Sequence, residues 1–211
     1  MMRRKLLIII LLLSSFASSV SARVLPAEPP FNRLRFTAEW GYTQCAFLYR
    51  DYNFISEEGY RVFDRSHGFD WHANAHFMAY LGYPLSARSV LSLGVGYMGV
   101  GRDNRLLPVT LRYDFHPHTF HEDGIFYFAQ GGTAWHIHTT AGQMALHATA
   151  GCGYRFRLCD DCALDLLVGL KYLRDHPALS DPERAGNVSE HNIRKNVAGY
   201  CALDISVAIS F

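Results

Sequence analysis

The chain has 211 residues, and its 20 Lys and Arg against 19 Asp and Glu leave a formal net charge of +1. This balance offers no basic surface of the kind that binds nucleic acid, so nucleic acid is excluded as an expected partner. Aromatic residues make up 14% of the chain, and glycine occurs 17 times. With no long apolar run after the N-terminus, this composition indicates an all-β protein.

The first 22 residues have the layout of a secretory signal peptide. Basic residues from Arg3 to Lys5 precede the apolar run 6–13, and small residues lead to Ala22. The run is far shorter than the ~20 residues of a spanning helix, so cleavage is expected rather than a retained anchor. We predict a signal peptide at 1–22, a short N-terminal segment at 23–32 and one domain at 33–211.

Eight later segments alternate between bulky apolar residues and small or polar residues. A period of two is typical of β-strands, and each segment has about the length of a transmembrane strand, ~9–11 residues. In chain order they lie near 33–46, 70–83, 89–101, 106–115, 124–136, 144–158, 162–173 and 197–211. The segment near 124–136 alternates least regularly, so its register is the least defined.

The charged residues of these segments share the face that carries the small residues. An eight-stranded barrel has an interior that side chains just fill, so the bulky face must point outward into lipid. We therefore predict an eight-stranded antiparallel transmembrane β-barrel, an up-and-down meander, in preference to a secreted β-sandwich. The predicted polar network of the lumen comprises Glu39, Arg112, Asp114, Arg155, Asp165, Lys171 and Asp204.

The predicted connections alternate between the two sides of the membrane. An exported N-terminus and an even number of strands place both termini in the periplasm. Inner turns are then expected at 86–89, 116–124 and 159–162, and outer loops at 47–69, 102–105, 137–143 and 174–191. The two longest connections are both outer loops, as in transmembrane barrels.

On its signal peptide, its eight alternating segments, LPVTLRYDF at 107–115 and the terminal VAISF, the sequence resembles the small eight-stranded outer-membrane barrels of Gram-negative bacteria. These form the OmpA/OmpX-like porin superfamily, and the resemblance covers residues 33–211. It implies location in the cell outer membrane and contact with outer-membrane lipid and lipopolysaccharide. It also implies that Phe211 is the assembly signal read by the barrel assembly machinery during insertion. We expect a monomer without a cofactor.

The 11 histidines are unusually many for this family. His116, His118 and His121 lie in one predicted turn, where neutral imidazoles are able to bind a metal. Spacing alone does not establish the geometry of a metal site, so a solvated turn is the favoured interpretation and no metal site is predicted. His72 and His76 share strand parity and are expected to point into the lumen.

Five cysteines are notable in a chain exported to an oxidising compartment. Cys159 and Cys162 flank a two-residue turn and are the candidate disulfide. Cys45 and Cys201 lie on strands that would be neighbours in a closed barrel. Their parities disagree, so a disulfide between them is not expected.

The sequence favours a structural or surface-interaction protein with no wide pore. The outer loops would form the interaction surface. The aromatic residues and Arg50 of FLYRDYNF at 47–54 are candidate contacts for a partner, a sugar or lipopolysaccharide. One alternative is a lipid A-modifying hydrolase, which some family barrels are. The local sequence WHIHTTAG at 135–142 has His136 and His138, but threonines where a serine nucleophile is expected. No catalytic residue is therefore assigned; the other alternative is a narrow channel.

Overall fold

The computed structural model describes residues 34–101, 104–137, 144–181 and 186–211. The predicted signal peptide and the segment 23–32 lie outside this part of the chain. Within it, no helix is long and apolar enough to cross a membrane.

Nine strands and one short 3₁₀ turn, Glu190–Asn192, make up the described chain. The strands are β1 (Arg35–Ile55), β2 (Arg61–Phe69), β3 (Ala73–Ser86), β4 (Ser89–Val100), β5 (Asn104–Phe115), β6 (Gly124–His136), β7 (Ala145–Arg157), β8 (Ala163–Asp175) and β9 (Ile193–Ser210). Eight of them coincide to within a few residues with the predicted alternating segments, apart from a longer β1. The weakly patterned segment 124–136 is also a strand.

The sheet closes on itself as a barrel. Its strand order is β2-β1-β3-β4-β5-β6-β7-β8-β9, with a further pairing between β1 and β9. Every pairing is antiparallel. Trp40, for example, lies opposite Phe77 of β3 and also opposite Val207 of β9. The prediction of a closed eight-stranded antiparallel barrel is therefore confirmed, with β2 as an additional strand.

The two faces of the barrel are inverted relative to a soluble protein. The bulky apolar side chains point outward, and Trp40, Phe77 and Leu170 are 46%, 50% and 72% exposed. Charged residues point inward, and Glu39 is only 2% exposed. Large apolar side chains exposed around a whole barrel are the pattern of a surface that faces lipid.

The structure differs from the sequence prediction at 47–69, which is not a loop. β1 continues to Ile55, and its outer part pairs with β2 on one side and with β9 on the other. β8 pairs with β9 only as far as Ala198. Beyond that point, the three-stranded sheet of β2, β1 and the start of β9 extends past the barrel rim. We call residues 47–69 and 193–198 the projection. It forms because pairing between β1 and β9 continues beyond the first alternating segment, across a register shift between Cys45 and Phe47.

The barrel has two distinct ends. At one, the N–H of Phe36 donates to the carbonyl of Phe211 at 3.1 Å, and the turns 87–88, 116–123 and 158–162 lie there. We call this the terminal end and the other the projection end. At the projection end, the connection between β8 and β9 packs Leu179 and Val188 against Phe54.

Candidate functional site

The centre of the lumen holds a buried ion-pair group built around Arg112. Its Nη1 donates to Oε2 of Glu39 at 2.6 Å, and its Nε donates to Oδ1 of Asp114 at 2.7 Å. The guanidinium also lies over the rings of Tyr80 and Phe128, at 5.3 and 4.7 Å from their centroids. Such contacts strengthen when water is excluded, so Arg112 ties several strands together inside the barrel.

A second group surrounds Asp204. Nζ of Lys171 donates to its Oδ1 at 2.8 Å, and the Thr43 hydroxyl donates to the same oxygen at 2.6 Å. His76 lies between the two groups, with Nε2 3.2 Å from Oε1 of Glu39 and Nδ1 3.5 Å from Oδ1 of Asp204. The imidazole therefore links the group around Arg112 to the group around Asp204.

The third group lies toward the terminal end. Arg155 donates from Nε and Nη2 to the two carboxylate oxygens of Asp165, at 2.7 and 2.6 Å. Its Nη1 donates to the carbonyl of Phe120 at 2.9 Å, which attaches the turn 116–123 to the barrel interior. This bidentate geometry is the strongest form of an arginine–carboxylate pair.

All seven residues of the predicted lumen network thus lie in the barrel interior, in three groups rather than one. His76 joins two of the groups, as its strand parity allowed. Thr43 and Ser206 also contribute, since the Ser206 hydroxyl donates to Oε1 of Glu39 at 3.1 Å. The sequence prediction left out these two hydroxyls, although they share strand parity with Glu39 and Asp204.

Glu39, His76 and Asp204 place one potential ligand atom each within 4.8 Å of one another. The carboxylates already accept hydrogen bonds from Arg112 and Lys171. A divalent cation here would face two buried cations at short range, so the donor set fits an ion-pair network better than a metal centre.

A layer of apolar side chains crosses the lumen between the polar network and the projection. It draws on seven of the eight barrel strands. Its buried members are Cys45, Met98, Val100, Leu106, Ala134, Ala145, Leu173, Ala198 and Tyr200. Most of these side chains offer water no hydrogen bonds, so the interior is largely apolar at this level of the barrel.

The three histidines of the turn after β5 do not converge. His116 is buried and stacks on Phe126, with ring centroids 4.9 Å apart, whereas His118 is exposed. Burial and, to a smaller extent, the nearby Arg155, Arg35 and Arg112 together lower the pKa of His116 to about 3. His116 is therefore a neutral side chain that fills part of the interior at the terminal end.

The two histidines expected to point into the lumen, His72 and His76, differ in burial. β3 begins at Ala73, so His72 lies in the connection before it, where its exposed ring contacts the Asp70 carboxylate. Strand parity does not extend into that connection. His76, inside β3, is buried.

At the projection end, His136 forms a pair with Asp175. Nε2 of His136 lies 2.8 Å from Oδ1 of Asp175, which is completely buried. Such a pair can orient an imidazole as a base, but a nucleophile is also required. Within the described residues Asp175 is the side-chain partner of His136, and His138 lies outside them.

The cysteines are free thiols in the structure. The N–H of Cys159 donates to the carbonyl of Cys162 at 3.1 Å across the turn at the terminal end. The disulfide between these two residues stays a prediction. Cys45 is buried and Cys201 is exposed, so they lie on opposite faces of the sheet.

The outward face of the projection carries a charged cluster around Asp51. Nζ of Lys195 and Nη2 of Arg65 donate to its Oδ2 at 2.6 and 3.1 Å, and the Tyr49 hydroxyl donates at 3.0 Å. The hydrogen bond from Lys195 and those from Tyr49 and Arg65 lower the pKa of Asp51 to about 2. Below the cluster, the rings of Phe47 and Phe69 are 4.4 Å apart.

No known family profile matches the chain, and no curated protein matches it significantly. Among solved structures it is similar to the outer membrane protein OprG from Pseudomonas aeruginosa, with 9% identity, a TM-score of 0.47 and coverage of 85% of this chain and 97% of that one. It is also similar to the outer membrane protein AlkL in lipid bilayers, with 12% identity, a TM-score of 0.44 and coverage of 91% and 97%. A third is the N-terminal β-barrel domain of Pseudomonas aeruginosa OprF, with 12% identity, a TM-score of 0.40 and coverage of 85% and 98%.

Proposed function

We propose that this protein is an integral outer-membrane barrel without a wide pore, which serves a structural or surface-interaction role. The observation that carries the proposal is the filling of the lumen. The ion-pair groups of Arg112, Lys171 and Arg155 occupy its centre and terminal end, and an apolar layer from seven strands lies above them. A barrel filled in this way provides a rigid membrane anchor rather than a path for solutes.

The proposed orientation is supported by the short turns at the terminal end and the long projection at the other end, because transmembrane barrels have short periplasmic turns and longer outer loops. The terminal end then faces the periplasm and the projection faces the cell exterior, where its strands are available to partners. Outer-membrane lipid and lipopolysaccharide surround the exposed apolar surface. We also propose that the protein acts as a monomer, which is supported by a barrel that one chain closes without a strand from a second copy.

The proposal is tested by comparing boiled and unboiled outer-membrane fractions on detergent gels, together with planar-bilayer recordings of the purified protein. We expect a compact band in the outer-membrane fraction that shifts on boiling, and no steady conductance of a wide pore. A soluble protein without a shift would rule out the membrane barrel. Stable ohmic channels would rule out the closed lumen but not the membrane location.

Phe211 is proposed as the residue that the barrel assembly machinery reads. It is 57% exposed and follows directly on the last strand, at the terminal end. Phe211→Ala should lower the amount inserted without changing the unfolding midpoint of the inserted fraction. Phe156→Ala is the matched control, because Phe156 is another outward aromatic that is 40% exposed. Equal insertion of the two variants would contradict the role of Phe211.

The second candidate function is hydrolysis of a lipid at the projection end, which the His136–Asp175 pair favours. Mass analysis of lipid A from cells with and without the gene tests it. A mass change that disappears in His136→Gln would establish this activity. Identical lipid A in all strains would exclude lipid A as the substrate.

A further inference from the structure

Polarity changes in order along the outward face of β1 from Phe47 to Asp51, and beyond Asp51 the exposed Phe63 of β2 lies on the same face. Phe47 and Phe69 come first and are 52% and 75% exposed. Tyr49 follows, and its hydroxyl points away from them toward Asp51. Because alternate residues of a strand share a face, this series runs from apolar through amphipathic to charged over about 13 Å.

The charged part of this face is basic. Arg65 and Lys195 both contact Asp51, and Arg61 donates from Nε to Oδ1 of Asn53 at 2.9 Å. Three cations therefore accompany one carboxylate. The side chains of Arg65 and Lys195 remain 57% and 48% exposed, so both can donate further hydrogen bonds outward.

We propose that this face binds a phosphorylated lipid of the outer leaflet, with the phosphate on Arg65 and Lys195 and an acyl chain along Phe47 and Phe69. The proposal rests on the proposed function, because it requires the projection to emerge at the outer membrane surface. It adds a named site and a ligand class to that function.

The order of the residues favours a lipid over a dissolved anion. Guanidinium and ammonium groups are the protein groups that best bind phosphate. Here they lie directly above apolar rings that continue the lipid-facing surface of the barrel. A phosphate attached to acyl chains satisfies both parts at once, whereas inorganic phosphate meets only the basic part.

Lipid binding to the whole mature chain in neutral detergent micelles tests the site. The probes are dioleoylphosphatidic acid, dioleoylglycerol with the same chains but no phosphate, and inorganic phosphate, with adducts measured by native mass spectrometry. Each cation is expected to strengthen binding of an anionic lipid about fivefold. The double variant Arg65→Gln/Lys195→Gln should therefore weaken binding of the phosphatidic acid by more than about tenfold. The control Arg50→Gln/Arg88→Gln removes the same charge from the neighbouring β1 position of opposite parity and from a terminal-end turn. It should leave binding unchanged.

The single variants Arg65→Gln and Lys195→Gln keep the test decisive if the double variant does not fold. Each leaves the other cation on Asp51, and each should weaken binding of the phosphatidic acid about fivefold. Equal binding by the wild type and the site variants would overturn the proposal, as would equally tight binding of inorganic phosphate or dioleoylglycerol. A heat-modifiable barrel that fails this test refutes only the lipid site, whereas the absence of such a barrel refutes the proposed function.

Discussion

Nη1 of Arg112 lies 2.6 Å from Oε2 of Glu39, although the two residues are 73 positions apart in the sequence. They belong to β1 and β5, which are not neighbours in the sheet, so the ion pair crosses the lumen. Their side chains are 5% and 3% exposed. A pair so completely removed from water depends on both partners.

Arg112→Leu should therefore destabilise the barrel strongly. It leaves the carboxylates of Glu39 and Asp114 buried without their cation, which costs about 3–5 kcal/mol. The free energy of unfolding in urea and detergent measures the effect. Arg88→Leu, in the exposed turn at the terminal end, is the control and should change it by less than about 0.5 kcal/mol. Similar losses for both variants would show that the lumen pair is not a structural tie.

Glycine is required where strands approach closely, and Gly132 is such a position. A Cβ there would lie 2.0 Å from the carbonyl oxygen of Val109 on the neighbouring strand. Gly132→Ala must displace backbone and should cost about 1–3 kcal/mol. Gly68→Ala is the matched control, since nothing lies within 4 Å of that Cβ. Heat-modifiability midpoints on detergent gels compare the two, and equal midpoints would contradict the steric argument.

The neutral, buried His116 makes the barrel sensitive to acid. Its pKa is about 3 in the folded chain, against an ordinary value of 6.5. Between these pH values the unfolded chain binds more protons, so stability falls as the pH drops from 6.5 toward 3. Unfolding free energies should be lower by about 2 kcal/mol at pH 5 than at pH 7 from this group alone. His116→Phe should remove that difference, and parallel pH profiles for the two proteins would refute the assignment.

Asp51 should hold the projection together until strongly acidic pH. Its pKa is about 2 in the folded chain against 3.8 ordinarily, chiefly because Lys195 and other donors bind its carboxylate. A lowered pKa means that the stabilisation is complete above pH 3.8 and is lost as the pH falls through 2. The protection factors of the β2 amides against hydrogen exchange should therefore stay high at pH 4 and fall toward pH 2. Asp51→Asn should exchange fast throughout, and unchanged protection in that variant would sink the prediction.

Residues 47–69 follow the first alternating segment, and the predicted topology assigns them to an outer loop. The structure pairs the β1 part of this stretch with β2 and with β9, about 150 positions away in the sequence. The sequence pattern of β1 gives no information about a pairing strand so distant in the chain. His72 lies one residue before β3, so the parity of that strand does not determine where its side chain points.

The sequence by itself determined which side of the regularly alternating strands faces outward. Alternation of Phe36 and Trp40 with Glu39, and of Leu166 and Leu170 with Asp165 and Lys171, follows from the two-residue period of a strand and needs no knowledge of its neighbours. Only the tertiary structure decided which charges meet, because strand registers and the diameter of the closed barrel bring Glu39 to Arg112 and Lys171 to Asp204. Those distances depend on contacts between strands far apart in the chain. The projection depends on such contacts too, because it forms where β1 pairs with β9.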